Sequence, residues 1–319
     1  MAVATTSKWS PFVVVLLTFF VVIAAGENKI LAKNMNFKLN SGDLMPLVGF
    51  GTYQIRGTQL IHDVLDYALA AGYRLIDTAK VYRNEEDIGK ALKELLPKYN
   101  LTRSDIWLTS KLSPDDQGEQ AYEALKESVK NLDCGYLDLY LIHWPGSHGV
   151  NASNVNNSLL RDESWKQMTK GVKEGLTKNI GVSNYLVRHL KELQANNHGV
   201  KPAVNQVEWH PHYHPQDLLD YCREEGIMLQ TYSSLGGTGN PDLISSPKVA
   251  NIATKLGKTP AQVLLRWALQ QELGIIPKAR SEAHIRENIE LDFVIPEEDM
   301  TILNSFSLNK YAWDPETIA

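Results

Sequence analysis

The stretch that decides the fold spans residues 73–109 and places one helical pattern between two short apolar runs. It begins with Tyr73-Arg-Leu-Ile76, continues through an amphipathic stretch at 85–95, and ends with Ile106-Trp-Leu-Thr109. Apolar residues spaced three to four apart indicate a helix, and short β-rich runs bounded by polar residues indicate strands. The stretch therefore predicts a strand–helix–strand unit with two parallel strands.

The same alternation continues along the chain after residue 34. Eight runs are predicted as strands, at 47–50, 73–76, 106–109, 137–142, 179–182, 203–206, 228–231 and 274–277. Helical patterns lie between them, as at 60–71, 120–132, 164–174 and 260–273, where Thr259 is a suitable N-cap for Pro260. This order predicts an α/β fold, a single (β/α)8 TIM barrel over residues 34–319.

An open, doubly wound sheet is the alternative fold. Such a sheet usually binds a dinucleotide through a Gly-x-Gly-x-x-Gly turn after its first strand. The nearest candidate, Gly49-Phe-Gly51, lacks that spacing, so the barrel is favoured. Residues 35–46 are predicted to form a small N-terminal β-hairpin at the bottom of the barrel.

Composition excludes some functions. The 319 residues are 43% hydrophobic with a formal net charge of -5, and no basic stripe suited to nucleic acid is visible. Two cysteines, Cys134 and Cys222, do not make a disulfide scaffold. Two buried free thiols are favoured over a disulfide between them.

The first residues follow the pattern of a secretory signal peptide. Lys8 precedes an apolar run at 11–25, and the small residues Ala24-Ala25-Gly26 suit cleavage after residue 26. Residues 1–26 are therefore predicted to be a signal peptide, giving a secreted or endoplasmic-reticulum lumenal protein with no membrane span in its mature form. An uncleaved signal anchor is the alternative. Three glycosylation sequons, at Asn100, Asn151 and Asn156, agree with a glycoprotein.

Polar residues stand at or just past the ends of the predicted strands. In a (β/α)8 barrel the carboxyl ends of the strands meet at one rim, where active sites are built. We therefore expect the active site to include residues from this set: Asp77, Lys111, His143, Ser183, Asn184, Gln206, Tyr232, Ser233 and Lys278.

Several motifs resemble those of a known family. Residues 72–85, Gly-Tyr-Arg-Leu-Ile-Asp-Thr-Ala-Lys-Val-Tyr-Arg-Asn-Glu, resemble the signature after the second strand of the aldo-keto reductases. The resemblance continues through residues 49–53, 137–145, 181–184, 205–211 and 276–289, in family order. It implies an NADP-dependent oxidoreductase that reduces aldehydes or ketones to alcohols, with most likeness to the small-aldehyde and glyoxal reductase branch.

The resemblance also implies a catalytic group of Asp77, Tyr82, Lys111 and His143. A carbonyl that receives hydride needs a proton at its oxygen, and Tyr82 is the implied general acid. Since a phenol with a pKa of about 10 is a poor acid near neutrality, we expect the ammonium of Lys111 to lower the pKa of Tyr82. Asp77 would orient Lys111, and His143 would position the carbonyl oxygen.

The cofactor implied is NADPH. Ser183, Asn184 and Gln206 would bind the nicotinamide carboxamide, and Tyr232 would stack on its ring. The full set of cofactor residues predicted from the matches is Thr52, Tyr53, Asp77, Ser183, Asn184, Gln206, Tyr232, Ser233, Leu235, Lys278, Arg280, Glu287 and Asn288. Ala279 and His284 depart from the family pattern near the phosphate site, which weakens the NADPH preference and leaves NADH possible; Arg280 would compensate.

Substrate residues are predicted at the mouth of the barrel: Tyr53, Tyr82, His143, Trp144 and Trp313. The short segment 236–241 and the short tail 309–315 predict an open pocket suited to small aldehydes, dicarbonyls and sugar-derived carbonyls. The sequence does not choose among them. We expect a monomer.

Two other interpretations are weaker. His210, His212 and His214 could suggest a metal site, but Pro211 and Pro215 interrupt regular ligand geometry, so no metal is predicted. The barrel could also serve as a cofactor-binding regulatory or structural protein without physiologically important turnover. The complete catalytic group favours an enzyme.

Overall fold

Eight parallel strands form the centre of the protein. The computed structural model describes residues 31–237 and 241–317. An antiparallel hairpin, β1 Asn36–Lys38 with β2 Leu44–Pro46, precedes the eight strands. These are β3 Phe50–Gly51, β4 Leu75–Asp77, β5 Trp107–Leu112, β6 Leu137–Ile142, β7 Thr177–Ser183, β8 Val204–Glu208, β9 Met228–Tyr232 and β10 Gly274–Ile275. Each strand pairs in parallel with the next in the chain.

Backbone hydrogen bonds close this sheet into a barrel. The Ile275 N–H donates to Leu47 O at 2.7 Å, and the Gly49 N–H donates to Ile275 O at 2.8 Å. The Gly51 N–H donates to Pro277 O at 3.0 Å. Because these bonds join the first and last strands of the sheet, no strand edge is left open. The predicted (β/α)8 barrel is confirmed.

Helices surround the barrel. The described residues contain α1 Thr58–Ala71, α2 Glu85–Lys98, α3 Ala121–Asn131, α4 Asn156–Lys173, α5 Val187–Ala195, α6 Gln216–Glu225, α7 Pro247–Leu256, α8 Pro260–Leu269, α9 Glu282–Glu287 and α10 Glu297–Asn304. In α1 the apolar side chains of Ile61, Val64 and Leu65 are fully buried, and Leu60 on the same face is half-buried. Helix α8 begins as predicted, with the Thr259 hydroxyl accepting from the Gln262 N–H at 3.2 Å.

The hairpin lies at the N-terminal ends of the strands, as predicted. The Asn40 amide donates to Pro202 O at 2.9 Å, just before β8. The Asn179 amide, near the start of β7, donates to the Asp43 carboxylate at 2.8 Å. Met45 is fully buried beneath the barrel. The opposite end of the barrel is therefore the one left open for a ligand.

Some boundaries differ from the sequence-based expectation. Strand β8 continues to Glu208, two residues beyond the predicted end, and β10 has two residues instead of four. Pro277 has no N–H and cannot extend the ladder. Helices α5, α6, α7, α9 and α10 lie outside the helical patterns named from the sequence. The segment 1–26, predicted to be a signal peptide, lies outside the described residues.

Both cysteines are free and buried, so the disulfide alternative is wrong. Burial raises the pKa of the Cys134 thiol to about 11 and that of Cys222 to about 12. Both therefore stay protonated at neutral pH and behave as small apolar side chains. Over residues 31–237 and 241–317, no helix is long and apolar enough to cross a membrane.

The closure of the barrel predicts a sensitive position at Gly51. A Cβ there would lie 2.7 Å from the backbone oxygen of Ile276, and backbone cannot yield as a side chain can. We expect Gly51→Ala to lower the free energy of unfolding by about 1–3 kcal/mol, measured by urea denaturation.

Gly171 in α4 is the matched control. Its Cβ would meet the tip of the Leu125 side chain at 2.3 Å, and that tip can rotate away. Alanine also gains about 1 kcal/mol over glycine in a helix interior. Gly171→Ala should therefore destabilise the protein less than Gly51→Ala. An equal loss in both variants would show that the barrel closure is not the cause.

Candidate active site

A cavity of about 1020 Å³ opens at the C-terminal ends of the strands. The predicted residues that line it are Tyr53, Asp77, Tyr82, His143, Trp144, Ser183, Asn184, Gln206, Tyr232, Ser233, Leu235, Lys278 and Trp313. The predicted residues that do not line it are Thr52, Lys111, Arg280, Glu287 and Asn288. Residues that are up to 260 positions apart in the chain therefore meet at one rim, from Tyr53 to Trp313.

A buried ion pair lies at the base of this cavity. Asp77 ends β4, and Lys111 lies in the neighbouring strand β5. Lys111 Nζ donates to Asp77 Oδ1 at 2.7 Å and to Thr78 O at 2.8 Å. The two side chains are 0% and 2% exposed, respectively. Burial lowers the pKa of Lys111, and the charge of Asp77 opposes that effect. A buried charge needs such a partner.

Tyr82 covers the ion pair. Lys111 Nζ lies 3.4 Å from Tyr82 Oη. Burial raises the pKa of Tyr82 well above its usual value, and the negative charge of Asp77 raises it further. The lowered pKa expected from the sequence is therefore wrong for this structure, because desolvation of the phenolate and the charge of Asp77 both favour the protonated form. At neutral pH the hydroxyl keeps its proton.

His143 stands beside Tyr82 with its ring centroid 5.7 Å from that of the tyrosine. Burial lowers the pKa of His143 well below its usual value, and the charge of Lys111 lowers it further. The imidazole is therefore neutral at pH 7. Its Nδ1 is buried and has no hydrogen-bond partner among the described residues.

A second polar group faces the cavity from β7, β8 and β9. The Ser183 hydroxyl donates to Gln206 O at 2.7 Å, and the Tyr232 hydroxyl donates to Asn184 Oδ1 at 2.7 Å. Gln206 Nε2 donates to Asp77 Oδ2 at 2.7 Å, which links this group to the ion pair. The side-chain amide nitrogens of Gln206 and Asn184 therefore already donate hydrogen bonds within the protein. Within the described chain, Gln206 Oε1 makes no hydrogen bond, so it can accept one from a ligand amide.

Two residues that line the cavity have a left-handed backbone conformation. Asn184 has φ of 64° and Ser233 has φ of 54°. Residues other than glycine rarely adopt this region, and those that do cluster where function requires an unusual side-chain direction. Both stand just past strand ends on the cavity wall.

The predicted phosphate site is only partly assembled. Lys278 is half-buried at the cavity edge, and burial lowers its pKa, with Arg280 adding to the effect. Arg280 Nη2 donates to Gln54 O at 2.8 Å across the cleft. Glu287 accepts a hydrogen bond from Thr259 at the start of α8, and Asn288 is buried. Two basic side chains are therefore available for an anion.

Three aromatic residues form the outer wall. Tyr53 packs on Tyr82 with ring centroids 5.1 Å apart, and Trp144 packs on Trp313 at 5.9 Å. Trp313 is 71% exposed. An exposed tryptophan over a cavity offers apolar surface to a ligand.

Sequence reasoning missed the residue that holds this wall in place. The buried carboxylate of Glu208, at the end of β8, accepts from the Tyr311 N–H at 2.6 Å, the Ala312 N–H at 3.0 Å and the Lys310 ammonium. Glu208 thereby fixes the tail that carries Trp313. Glu208 belonged to a motif quoted for the family resemblance, but its partners in the tail lie 102 to 104 residues away, so no local signal revealed the contacts.

The three histidines of this loop have different partners. His210 Nε2 lies 2.9 Å from Glu208 Oε1, His212 hydrogen-bonds Tyr311, and His214 packs edge-on against Trp267. Across the described residues, no group of three or more His, Cys, Asp or Glu side chains could hold a metal ion. The loop instead receives the C-terminal tail.

The chain belongs to the Aldo/keto reductase family, whose sequence profile matches residues 47–307. It is an aldo-keto reductase enzyme acting on carbonyl compounds. Proteins of this family use nicotinamide cofactors.

The sequences of individual relatives align with most of this chain. The glyoxal reductase of Bacillus subtilis is 38% identical over 275 residues, covering 86% of this chain and 92% of that protein. Aldo-keto reductase family 1 member A1-A of Danio rerio is 38% identical over 296 residues, which cover 85% of this chain and 89% of that protein. The structure of the aldose reductase from Schistosoma japonicum superposes on this chain with a TM-score of 0.79 at 38% sequence identity. The superposition covers 88% of this chain and 94% of that protein.

The predictions of a signal peptide, secretion and glycosylation are contradicted. The relatives include an aldo-keto reductase family 1 member A1-A from Danio rerio, an aldose reductase from Dictyostelium discoideum and a glyoxal reductase from Bacillus subtilis, and their names carry no indication of a secretory location. An apolar run followed by small residues is a compositional pattern, and it does not by itself fix a location. The family assignment rests on residues 47–307 and does not depend on that segment.

The tail contact predicts a local effect of Glu208→Gln. Charge-assisted hydrogen bonds contribute about 1.5–3 kcal/mol, so we expect amide hydrogen exchange at Tyr311 and Ala312 to accelerate by tenfold or more. The control is Glu316→Gln, which removes only an exposed ion pair with Arg188. Equal acceleration in both variants would show that Glu208 does not hold the tail.

The same contact predicts a pH dependence. Burial alone would raise the pKa of Glu208, but hydrogen bonds from His210 and Lys310 lower it to about 2. A carboxyl with a lowered pKa stabilises the fold fully above its unfolded value of about 4.3 and loses that contribution as pH falls toward 2. Exchange protection of the tail should therefore be constant from pH 5 to 8. A loss of protection within that range would contradict the assignment.

Proposed function

We propose that this enzyme reduces aldehydes and ketones to alcohols with NADPH, using Tyr82 as the general acid. The observation that carries the proposal is the arrangement of Lys111, Asp77 and Tyr82 at the base of the cavity, with Gln206 bound to the second oxygen of Asp77. The buried carboxylate of Asp77 thus binds both the lysine beside the proton donor and a cofactor-facing amide.

The polar group on β7 to β9 fits a nicotinamide. Gln206 Oε1 would accept a hydrogen bond from the carboxamide, with Ser183 and Asn184 beside it, and the half-buried ring of Tyr232 would stack on the nicotinamide. When bound, the cofactor supplies the hydride. The protein supplies orientation and the proton.

The raised pKa of Tyr82 suits the role of an acid. The hydroxyl stays protonated at neutral pH and donates to the carbonyl oxygen as negative charge develops there. Lys111, 3.4 Å away, then stabilises the phenolate. The neutral His143 is free to donate a hydrogen bond to the same oxygen from the side of the ring that faces the cavity.

Removal of the proton donor tests this mechanism. Tyr82→Phe keeps the ring and its packing, so we expect nucleotide binding to persist while kcat falls by about 10²-fold or more. Nucleotide binding is measured by fluorescence titration, and turnover by NADPH absorbance. Tyr53→Phe, which removes a hydroxyl from the adjacent ring, should cause a far smaller drop. A Tyr82→Phe enzyme with wild-type kcat would eliminate Tyr82 as the acid.

NADPH is proposed over NADH because Lys278 and Arg280 border the cleft where the adenosine 2′-phosphate would lie. Arg280→Ala removes a guanidinium suited to bind that phosphate. We expect the Kd for NADPH to rise about tenfold and that for NADH to change little. Equal weakening of both nucleotides would refute the role of Arg280.

The open cavity supports small aldehydes, dicarbonyls and sugar-derived carbonyls as substrates, and its aromatic wall suits a short apolar chain. We further propose that the protein acts as a monomer whose catalytic domain spans residues 34–319. The alternative of a cofactor-binding protein without turnover predicts nucleotide binding but no oxidation of NADPH with any member of such a substrate panel.

A further inference from the structure

Arg56 lines the wall of the cavity near Tyr82. It lies in the loop between β3 and α1 and lines the cavity together with Tyr53 and Val81. Its Nε donates to Tyr82 O at 3.1 Å. This bond fixes the guanidinium beside the backbone of the residue that carries the proposed acid.

The rest of this guanidinium has no partner in the described part of the chain. Neither Nη atom makes a hydrogen bond or an ion pair there. Four of the nine other arginines are paired with carboxylates, for example Arg103 with Asp138 at 2.8 Å and Arg161 with Glu192 at 2.9 Å, and the remaining five make no ion pair among the described residues. Arg56 is thus positioned by one bond while its two terminal nitrogens stay available.

The charges around the cavity leave this cation uncompensated. Among the described residues that line it, Asp77 has the only carboxylate, and that carboxylate is held by Lys111 and Gln206. Lys278 adds a second basic group on the cofactor side. An anion entering at Arg56 would therefore meet no facing negative charge.

We propose that Arg56 binds the carboxylate of substrates that carry both an aldehyde and an anionic group. A guanidinium whose Nε is occupied presents its two Nη atoms end-on, and this fork matches the two oxygens of a carboxylate. The inference rests on the proposed function, since the aldehyde must reach Tyr82 and His143. It adds a substrate class, the short ω-oxo carboxylates.

The position of Arg56 limits the length of such a substrate. Its guanidinium contacts the backbone of Tyr82, whereas the hydroxyl of the same residue contacts the carbonyl. The two ends of the substrate are therefore separated by about the length of one tyrosine side chain. The chain between them would run along the ring of Tyr53, which packs on Tyr82.

A pair of substrates that differ only in charge tests the proposal. We would measure kcat/KM for 4-oxobutanoate and for butanal with wild-type enzyme, Arg56→Gln and Arg56→Lys. The ratio of the two values should fall about tenfold in Arg56→Gln, mainly through KM for 4-oxobutanoate. Arg56→Lys should be intermediate, because it keeps the charge and loses the fork.

Arg83→Gln is the matched control. Arg83 is also exposed and is next to Tyr82 in sequence, but it does not line the cavity. A ratio that is unchanged in Arg56→Gln, or that falls equally in Arg83→Gln, would overturn the proposal. A rise in the Kd of NADPH in Arg56→Gln equal to the loss in kcat/KM would also overturn it, because Arg56 would then serve the cofactor.

The result separates the two levels of inference. If wild-type enzyme oxidises NADPH with neither aldehyde nor with the broader substrate panel, the proposed function fails. If both aldehydes are reduced and the ratio does not depend on Arg56, only the carboxylate site fails. Raising the ionic strength should lower the 4-oxobutanoate rate in wild-type enzyme more than in Arg56→Gln, since exposed charges are screened by salt.

Discussion

The ion pair between Lys111 and Asp77 is the interaction on which the site depends. A fully buried ammonium is tolerated only with a charged partner and further hydrogen bonds, and the barrel supplies both. Asp77 is opposite Thr109 in the parallel pairing of β4 with β5. Lys111 lies two residues beyond Thr109 and hence on the same face of the sheet. Strand register alone therefore places the two charges together, and closure of the barrel excludes water from them.

From this pair, hydrogen bonds connect the polar residues at the ends of β6, β7 and β8. The second oxygen of Asp77 binds Gln206 on β8, and the backbone carbonyl of Gln206 accepts from Ser183 on β7. The Asn184 amide then donates to His143 O at 2.9 Å. Because each group satisfies the next, removal of one member leaves a buried polar partner unpaired. The left-handed backbone at Asn184 is stabilised by this network.

The fold was predictable because alternating strands and helices are local patterns, and eight repeats of them specify the barrel. The residues proposed for catalysis and for cofactor binding were predictable as members of a rim, since strand ends mark it. The direction of the pKa shift of Tyr82 was not predictable. The sequence shows a neighbouring lysine, which would lower the pKa, but it does not show the burial that raises the pKa. Glu208 was missed because its partner is distant in the chain. The predicted secretory location was wrong because a short apolar run is not specific for a signal peptide.

Burial decides how each charge at this end of the barrel is neutralised. Lys111 and Glu208 are buried, so their charges are matched by the fold itself, the first by Asp77 and the second by the tail. Arg56 is exposed and can remain unmatched at little cost, because water solvates it until a ligand arrives. A charge that the fold must neutralise contributes to structure, whereas a charge that solvent can neutralise is available for recognition. This distinction agrees with the roles proposed above: the buried pair forms the fixed base of the site beneath Tyr82, and the rim arginine is open to a substrate.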